Sequence, residues 1–588
     1  MGRNSHQASG ETNSRRYFDQ ETGSVKKKWK NKLPVALVYP NHYKLGMSNL
    51  GYQLVYRLLN QHPAYVAERV FLPESNEKPL SIESGRPLAD FPLLLFSVSF
   101  EQDYQNLISM LVMAGLPPLA ADRPAENQFI AAVGKGGLPL VIAGGVATFI
   151  NPEPLAPFID LFIIGEAEPI LAQIMEQISS AVDHHTKEKL LLMLASNFTG
   201  CYVPSFYQVE YGAGGQLLSM APKAAYKSIP KRIKKSTLPS PGKFAGHSEI
   251  LTPAAEFADL YMTELGRGCS RGCRFCAAGF VYRPPRLWSA DAIINSLAEK
   301  PPTAARVGLL GMEMARSENL AQIADFMLKE SCSLSFSSLR ADAISPALLE
   351  LLGKSGLKSA AIAPDGGSER LRRVINKGIT ETDILAASAN LLQCGINNLK
   401  LYFMIGLPTE TTADLEEMVD LIKKVKEKML ELGRAKGRLS NLSLSINCFI
   451  PKPWTPFQFF PMEPVSSWKQ KLKFLRSRLA GEPNIKFKSE KPEKAYLQAL
   501  LARGDRRVGK ALLTMVQNRL SWKQAFKSAQ LNPDDFTLRQ RHPDELFPWE
   551  IIDHNIDRKY LWAEYLKALS AKTTAPCDTA RCKRCGVC

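Results

Sequence analysis

The chain has 588 residues, 45% hydrophobic and 22% charged, a balance that excludes global disorder. At roughly 100 to 200 residues per domain that length predicts two to four domains. Lys and Arg number 74 against 57 Asp and Glu, a formal charge of +17. No apolar run approaches the roughly 20 residues of a spanning helix, so no membrane segment is predicted.

Residues 1–32 are polar, end in a lysine run and read as a disordered basic leader. They hold no apolar stretch of the signal-peptide kind, so the expected location is the cytoplasm. From residue 33 the pattern changes. Short apolar strands are predicted at 35–39, 93–98, 140–143 and 161–164, and Leu54, Val55, Leu58 and Leu59 mark one face of a helix between them. Near-continuous apolar strands alternating with helices indicate a parallel sheet covered on both faces, so 33–200 reads as a doubly wound, flavodoxin-like α/β domain. Its strand ends carry Gly144-Gly145 and Gly165-Glu166, where backbone can approach a ligand.

Residues 201–250 form a basic connector. Between 223 and 243 it holds Lys223, Lys227, Lys231, Arg232, Lys234, Lys235 and Lys243 and no acid, the pattern of a solvated linker or of a phosphate-binding surface. Over 251–460 the rhythm is strand then helix, with strands predicted at 261–265, 307–310, 334–338, 359–363, 399–405 and 442–449. Ser345 caps a helix with Pro346 at its first position and Gly356 past its end, and Thr380 and Thr411 each precede an acid three residues on. Six such units predict a partial (β/α)6 TIM-type barrel whose chemistry lies at the C-terminal strand ends. Residues 461–570 read as a helical C-terminal region and 571–588 as a cysteine-rich tail.

The eleven cysteines are unevenly placed, and in a reducing compartment clustered cysteines point to metal rather than to disulfides. Cys269, Cys273 and Cys276 form C-x3-C-x2-C directly after the first barrel strand. A closed zinc site wants four ligands, and only three are local. Three thiolates on a glycine-rich loop suit an iron-sulfur cluster with one iron left open. Gly266, Gly268 and Gly272 let the loop wrap closely, and Arg267, Arg271 and Arg274 are expected to offset the cluster charge.

This segment, including the aromatic Phe275 before the last cysteine, resembles the cluster motif of the radical S-adenosylmethionine (SAM) enzymes. The resemblance implies a [4Fe-4S] cluster on the three cysteines, SAM chelated to the open iron, reductive cleavage to a 5'-deoxyadenosyl radical, and an electron donor such as flavodoxin or ferredoxin. It also implies cofactor contacts at successive strand ends. These are Gly311 and Glu313 after the second strand, Ser337, Ser338 and Arg340 after the third, Asp365 after the fourth, where relatives usually carry a glutamate, and Ile405, Gly406 and Pro408 after the fifth. The N-terminal half is similar to the cobalamin-binding-like domain that precedes the barrel in one branch of the family. The match lies in Gly144-Gly145, Asn151-Pro152-Glu153, Asp160 and Gly165-Glu166-Ala167-Glu168. His42 lacks the Asp two positions earlier that the usual cobalamin loop carries, so either cobalamin binds without a lower histidine or the domain is a scaffold alone. The full layout, with Arg503-Gly504-Asp505-Arg506-Arg507, Pro548-Trp549 and the terminal cysteines, resembles a radical SAM family with no assigned substrate.

The second cluster is Cys577-x4-Cys582-x2-Cys585-x2-Cys588, the pattern of an auxiliary iron-sulfur cluster, a structural zinc site or a thiol-bearing tail. Arg581, Lys583 and Arg584 favour its thiolates. Cys201, Cys332, Cys394 and Cys448 lie in apolar segments and read as buried hydrophobes. Three functions compete: radical SAM methyl or methylthio transfer to RNA, radical SAM chemistry on a small molecule or protein side chain, and a non-enzymatic iron-sulfur carrier or nucleic-acid-binding module. The implied SAM-side residues favour the first two, since a carrier needs no SAM pocket.

Overall fold

Strand β1 (Leu33–Tyr39) sits inside a six-stranded sheet with β2 (Tyr65–Phe71), β3 (Leu93–Ser97), β4 (Leu140–Gly144), β5 (Leu161–Ile163) and β6 (Cys201–Tyr202), in the order β2-β1-β3-β4-β5-β6. This computed structural model describes residues 16–588 except 76, 124–137, 182–185, 312, 314–316, 331–332, 337, 436 and 438–439. All pairings in the sheet are parallel except β5 with β6. The strands are apolar at nearly every position because both faces are covered, and β2 is buried along its whole length. With β2 on one side of β1 and β3 on the other, the chain direction switches beside β1, and a cleft opens outside the strand ends there.

The leader is a correction to the sequence reading. Residues 1–15 lie outside the described residues, but 16–32 fold onto the first domain. Both Glu21 carboxylate oxygens accept from the Arg69 guanidinium at 2.7 Å, and Thr22 pairs with Leu251. The cause is charge. Arg69 is fully buried between Glu21 and Glu83, and losing one carboxylate would leave it underpaired in a low dielectric.

The connector is likewise built into the fold. After the hairpin β7 (Tyr207–Tyr211) and β8 (Leu217–Pro222), β9 (Ile233–Lys234) pairs with a late strand, Ile552–Asp553. Lys235 is buried, its ammonium donating to the carbonyls of Val281 and Arg283 at 2.6 and 2.7 Å. Lys223, Lys227, Lys231, Lys234 and Lys243 remain exposed.

The second sheet system follows. Strands β10 (Leu260–Glu264), β13 (Arg306–Leu310) and β14 (Ser333–Phe336) form one parallel sheet, and β15 (Ser359–Asp365), β16 (Asn398–Ile405), β17 (Asn441–Cys448) and β18 (Ile485–Ser489) another. The parallel bridge between Leu339 and Ile362 joins them into an open arc. Between β10 and β13, the short strands β11 (Gly266–Arg267) and β12 (Arg286–Leu287) pair antiparallel. The seventh strand of the arc, β18, falls in the stretch expected to be helical. It alternates half-buried Ile485 and Phe487 with exposed Lys486 and Lys488, the period of an edge strand.

The C-terminal helices return to the first domain, and one apolar core runs from Val35 and Ile142 to Leu512, Trp549 and Tyr565. The Arg503-to-Arg507 phrase makes this joint. Asp505 caps helix Arg506–Asn518, Arg506 pairs with Glu153 at 2.8 Å, and the Asn151 amide donates to the carbonyls of Ala502 and Gly504. No described helix is long and apolar enough to cross a membrane.

Candidate functional site

The cysteine loop leaves the C-terminal end of β10 and is closed at its base by β11 and β12, so residues 268–285 form a tethered lobe over the strand ends. Gly268 has φ +85°, and a Cβ there would lie 2.7 Å from the Tyr282 carbonyl oxygen, so the turn admits no side chain. The Cys276 amide donates to the Cys273 carbonyl at 3.1 Å, and the chain leads into helix Ala278–Val281. All three thiols are unpaired and half-buried. Burial pushes the Cys269 thiol up to about 11 and Cys276 up to about 12, and the thiols raise one another further. Metal-free, the set is neutral, and a bound metal displaces its protons.

Among the described residues, no three His, Cys, Asp or Glu side chains converge tightly enough to hold a single metal ion. Three thiols on one loop are donors of the chemical kind that iron takes.

Each of the three arginines of the loop has a carboxylate partner. Arg267 pairs with Glu168 at 2.6 Å, Glu264 at 2.9 Å and Glu166 at 3.5 Å, tying the loop to the first domain. Arg274 is fully buried and pairs with Glu564 at 3.0 Å, while Arg271 faces Asp342 at 3.8 Å. Lys377 and Arg340 lower Cys273 against its burial, and Arg274 interacts with the same thiol. The Lys377 ammonium contacts Asp365 at 2.7 Å, and the Lys377 carbonyl accepts from Arg340. Lys377 was missed in the sequence, although Asn376-Lys377-Gly378, with Asn376 at φ +54° and Gly378 at φ +65°, is a readable helix stop.

The remaining expected positions divide. The Glu313 carboxylate accepts from the Ser270 amide at 2.8 Å and its hydroxyl at 2.6 Å, so the second strand end holds the cysteine loop. Gly311 lies in the same turn. Asp365 has φ +62° and its carboxyl is raised by burial. Ser338 is exposed at the third strand end, and Ser337 lies outside the described residues. Ile405 and Pro408 are buried, and a Cβ on Gly406 would come within 2.3 Å of the Trp468 indole nitrogen.

Two cavities flank the loop. One of about 470 Å³ is shared by the N-terminal strand ends, including Ser97, Gly144 and Gly165, and by Arg267, Tyr282 and Gly311. The other, of about 490 Å³, is lined by Phe275 and Met404 with Asn447, Lys452, Glu490 and Gln498 as polar groups.

The tail docks on the same loop. The Cys577 amide donates to the Ser270 carbonyl at 2.7 Å, and Asn376 bonds the carbonyls of Arg271, Gly272 and Thr574. Arg274 donates to the Lys572 carbonyl at 2.8 Å. Cys585 is buried, and Cys577 hydrogen bonds with Cys582. Cys201 and Cys448 are buried as expected and Cys394 half-buried, while Cys332 lies outside the described residues.

Residues 51–204 match the N-terminal domain of radical SAM proteins, and 263–422 match the radical SAM superfamily. An uncharacterized protein of Methanocaldococcus jannaschii, MJ0966, is 28% identical over 484 residues, which cover 81% of this chain and 90% of the relative. Among solved structures, the radical SAM methyltransferase TsrM from Kitasatospora setae with cobalamin and a [4Fe-4S] cluster bound aligns with a TM-score of 0.47 at 12% identity, over 85% of this chain and 99% of that one. The cobalamin-dependent SAM radical enzyme OxsB aligns with a TM-score of 0.46 at 14% identity, over 92% of this chain and 80% of that one. With the superfamily's N-terminal and core domains both present, the chain is a radical SAM enzyme.

Proposed function

We propose that Cys269, Cys273 and Cys276 hold a [4Fe-4S] cluster, that SAM binds its open iron, and that the enzyme transfers a methyl or methylthio group to RNA. The observation that carries the reading is the tethered thiol lobe at the C-terminal end of β10, held from the next strand end by Glu313. The cluster, when bound, supplies the electron that breaks a carbon-sulfur bond of SAM and releases a 5'-deoxyadenosyl radical. The chain's own residues position the parts. Glu313 fixes Ser270 between two thiols, while Lys377 and Arg340 place positive charge where anionic thiolates would form. Phe275 and Met404 wall a cavity in the size range of small-ligand sites, with the polar groups of Asn447, Lys452 and Glu490 to orient its occupant.

Cobalamin is proposed for the other cavity. Glycine strand ends at Gly144, Gly145 and Gly165 let backbone approach an occupant between apolar side chains such as Leu54 and Phe149, and none of the lining residues is a histidine. His42 is exposed and does not line it. Cobalamin, if bound there, would be held by these lining residues, with no histidine among them.

Support for RNA comes from exposed cations near the arc: Lys473, Arg476, Lys486 and Lys488, besides the exposed lysines of the connector. Retention of bulk tRNA tests this. Binding is expected at about 50 mM salt and should fall steeply by about 200 mM as counterions compete for the phosphates. Absence of binding at the lower salt would move the substrate to a small molecule or a protein side chain.

A further inference from the structure

Two buried arginines of the C-terminal region meet with too few carboxylates between them. Arg503, the last residue of helix Pro492–Arg503, is fully buried. Its Nε donates to the Phe536 carbonyl at 2.9 Å and its Nη1 to the Phe460 carbonyl at 3.0 Å, while among the described residues nothing accepts from its Nη2. Arg541 is 5% exposed; its Nη2 reaches the carbonyls of Arg503 and Phe536 at 3.3 and 3.4 Å, and its Nε is likewise unpartnered. Its guanidinium lies over the rings of Phe547 and Trp549, 5.4 and 5.1 Å from their centroids, which covers its face and leaves that N–H free. Glu545 stands 3.6 Å from Arg541, but both of its oxygens already accept from Arg539, at 2.5 and 2.7 Å. Three guanidiniums thus share one carboxylate. The other acids nearby are engaged or outside: Arg507 takes Asp505 at 2.6 Å, Asp535 accepts from the Asn532 amide at 2.9 Å, and Asp544 is exposed beside His542. Burial, with Arg541 and Arg539 adding to it, pushes Arg503 well below its ordinary value, and burial brings Arg541 down to about 10. A buried cation is costly until an anion meets it.

These arginines line a cavity of about 640 Å³, in the size range of small-ligand sites. Leu217, Phe536 and Pro548 give it an apolar side, and Leu218 on β8, 58% exposed, stands at its outside. We propose that the cavity binds a small phosphate monoester, its phosphate oxygens accepting from Arg503 Nη2 and Arg541 Nε and its organic part resting on the apolar side. Such a group brings about 1.5 to 2 negative charges at pH 7 and three acceptor oxygens, enough for two unpaired guanidiniums, whereas a carboxylate brings one charge. The rigid fork of arginine suits those oxygens. None of the lining residues belongs to the cysteine loop or to the two cavities beside it, so the site stands apart from the cluster reading. The Arg503-to-Arg507 phrase then has two uses, Arg506 joining the domains and Arg503 facing the anion.

The experiment titrates the full reconstituted chain by calorimetry at constant ionic strength, with inorganic phosphate as the bare group, phenyl phosphate as a monoester and phenol as its phosphate-free control. Phosphate is expected to bind in the millimolar range or better, and phenyl phosphate at least about tenfold more tightly than phenol, with phosphate displacing it. Arg541→Lys keeps the charge and loses the free Nε, so it should weaken phenyl phosphate at least about tenfold. Leu218→Glu alters an exposed position, leaves every arginine in place and should weaken it about threefold or more by repulsion. Should Arg541→Lys not fold, Leu218→Glu alone decides. Failure of both phosphate and phenyl phosphate to bind, binding of phosphate with exclusion of phenyl phosphate, or wild-type affinity in the folded variants would overturn the proposal.

Discussion

Arg274 lies between Cys273 and Phe275, and its guanidinium pairs with the Glu564 carboxylate at 3.0 Å, both side chains at most 3% exposed. The pair ties the loop that carries the first thiols to helix Arg558–Leu569, which leads into the tail. Removing one member of such a pair leaves a buried charge alone. Glu564→Ala is expected to cost about 3 to 5 kcal/mol, read by denaturant unfolding, and to release the tail, read as faster proteolysis after residue 570. Unchanged stability would show that Arg274 finds another partner.

Glu313 makes a prediction of a different kind, because it acts on one loop. Glu313→Gln keeps one carbonyl acceptor for Ser270, whereas Glu313→Ala keeps none. The alanine variant should reconstitute with less iron and bind SAM at least about tenfold more weakly, an effect of about 1.4 kcal/mol, with glutamine between it and the wild type. Iron content and equilibrium dialysis with SAM check both.

Gly268→Ala places a Cβ 2.7 Å from the Tyr282 carbonyl oxygen at a φ of +85°. The turn must shift, and with it Cys269. Lower iron incorporation is expected without unfolding of the N-terminal domain, so circular dichroism should be near wild type while cluster absorbance falls. Equal incorporation would show that the loop relaxes without moving its thiols.

Lys235 links stability to pH. Burial pushes its ammonium down to about 8, with Glu166 pulling the other way. Its unperturbed value is 10.5, so between about pH 8 and 10.5 the folded chain binds fewer protons than the unfolded chain. Unfolding free energy from this group therefore rises with pH across that window, and the cost of burying the charge is complete below it. The stability of the wild type relative to Lys235→Met should improve from pH 7 to pH 10. A constant difference would place the pKa near its ordinary value.

Much of the layout was legible because it rests on local pattern. The continuous apolar runs at β1, β3 and β4 announce a sheet buried on both faces, and C-x3-C-x2-C after β10 announces the loop. What was not legible depends on partners far apart in sequence. Glu21 is ordered by Arg69, Arg267 is taken by Glu168, and Cys577 meets Ser270. Strand β18 was hidden because Lys486 and Lys488 on its exposed face break the apolar run by which the buried strands announce themselves. The Arg503-to-Arg507 phrase looked like a family signature and proves to be the joint between the C-terminal helices and the first domain.

The most direct test of the account is reductive cleavage of SAM by the reconstituted chain under anaerobic conditions. With dithionite as electron source, the wild type should yield 5'-deoxyadenosine and methionine, and Cys273→Ala should yield neither. A wild-type chain with its cluster spectroscopically intact that yields neither product would contradict it.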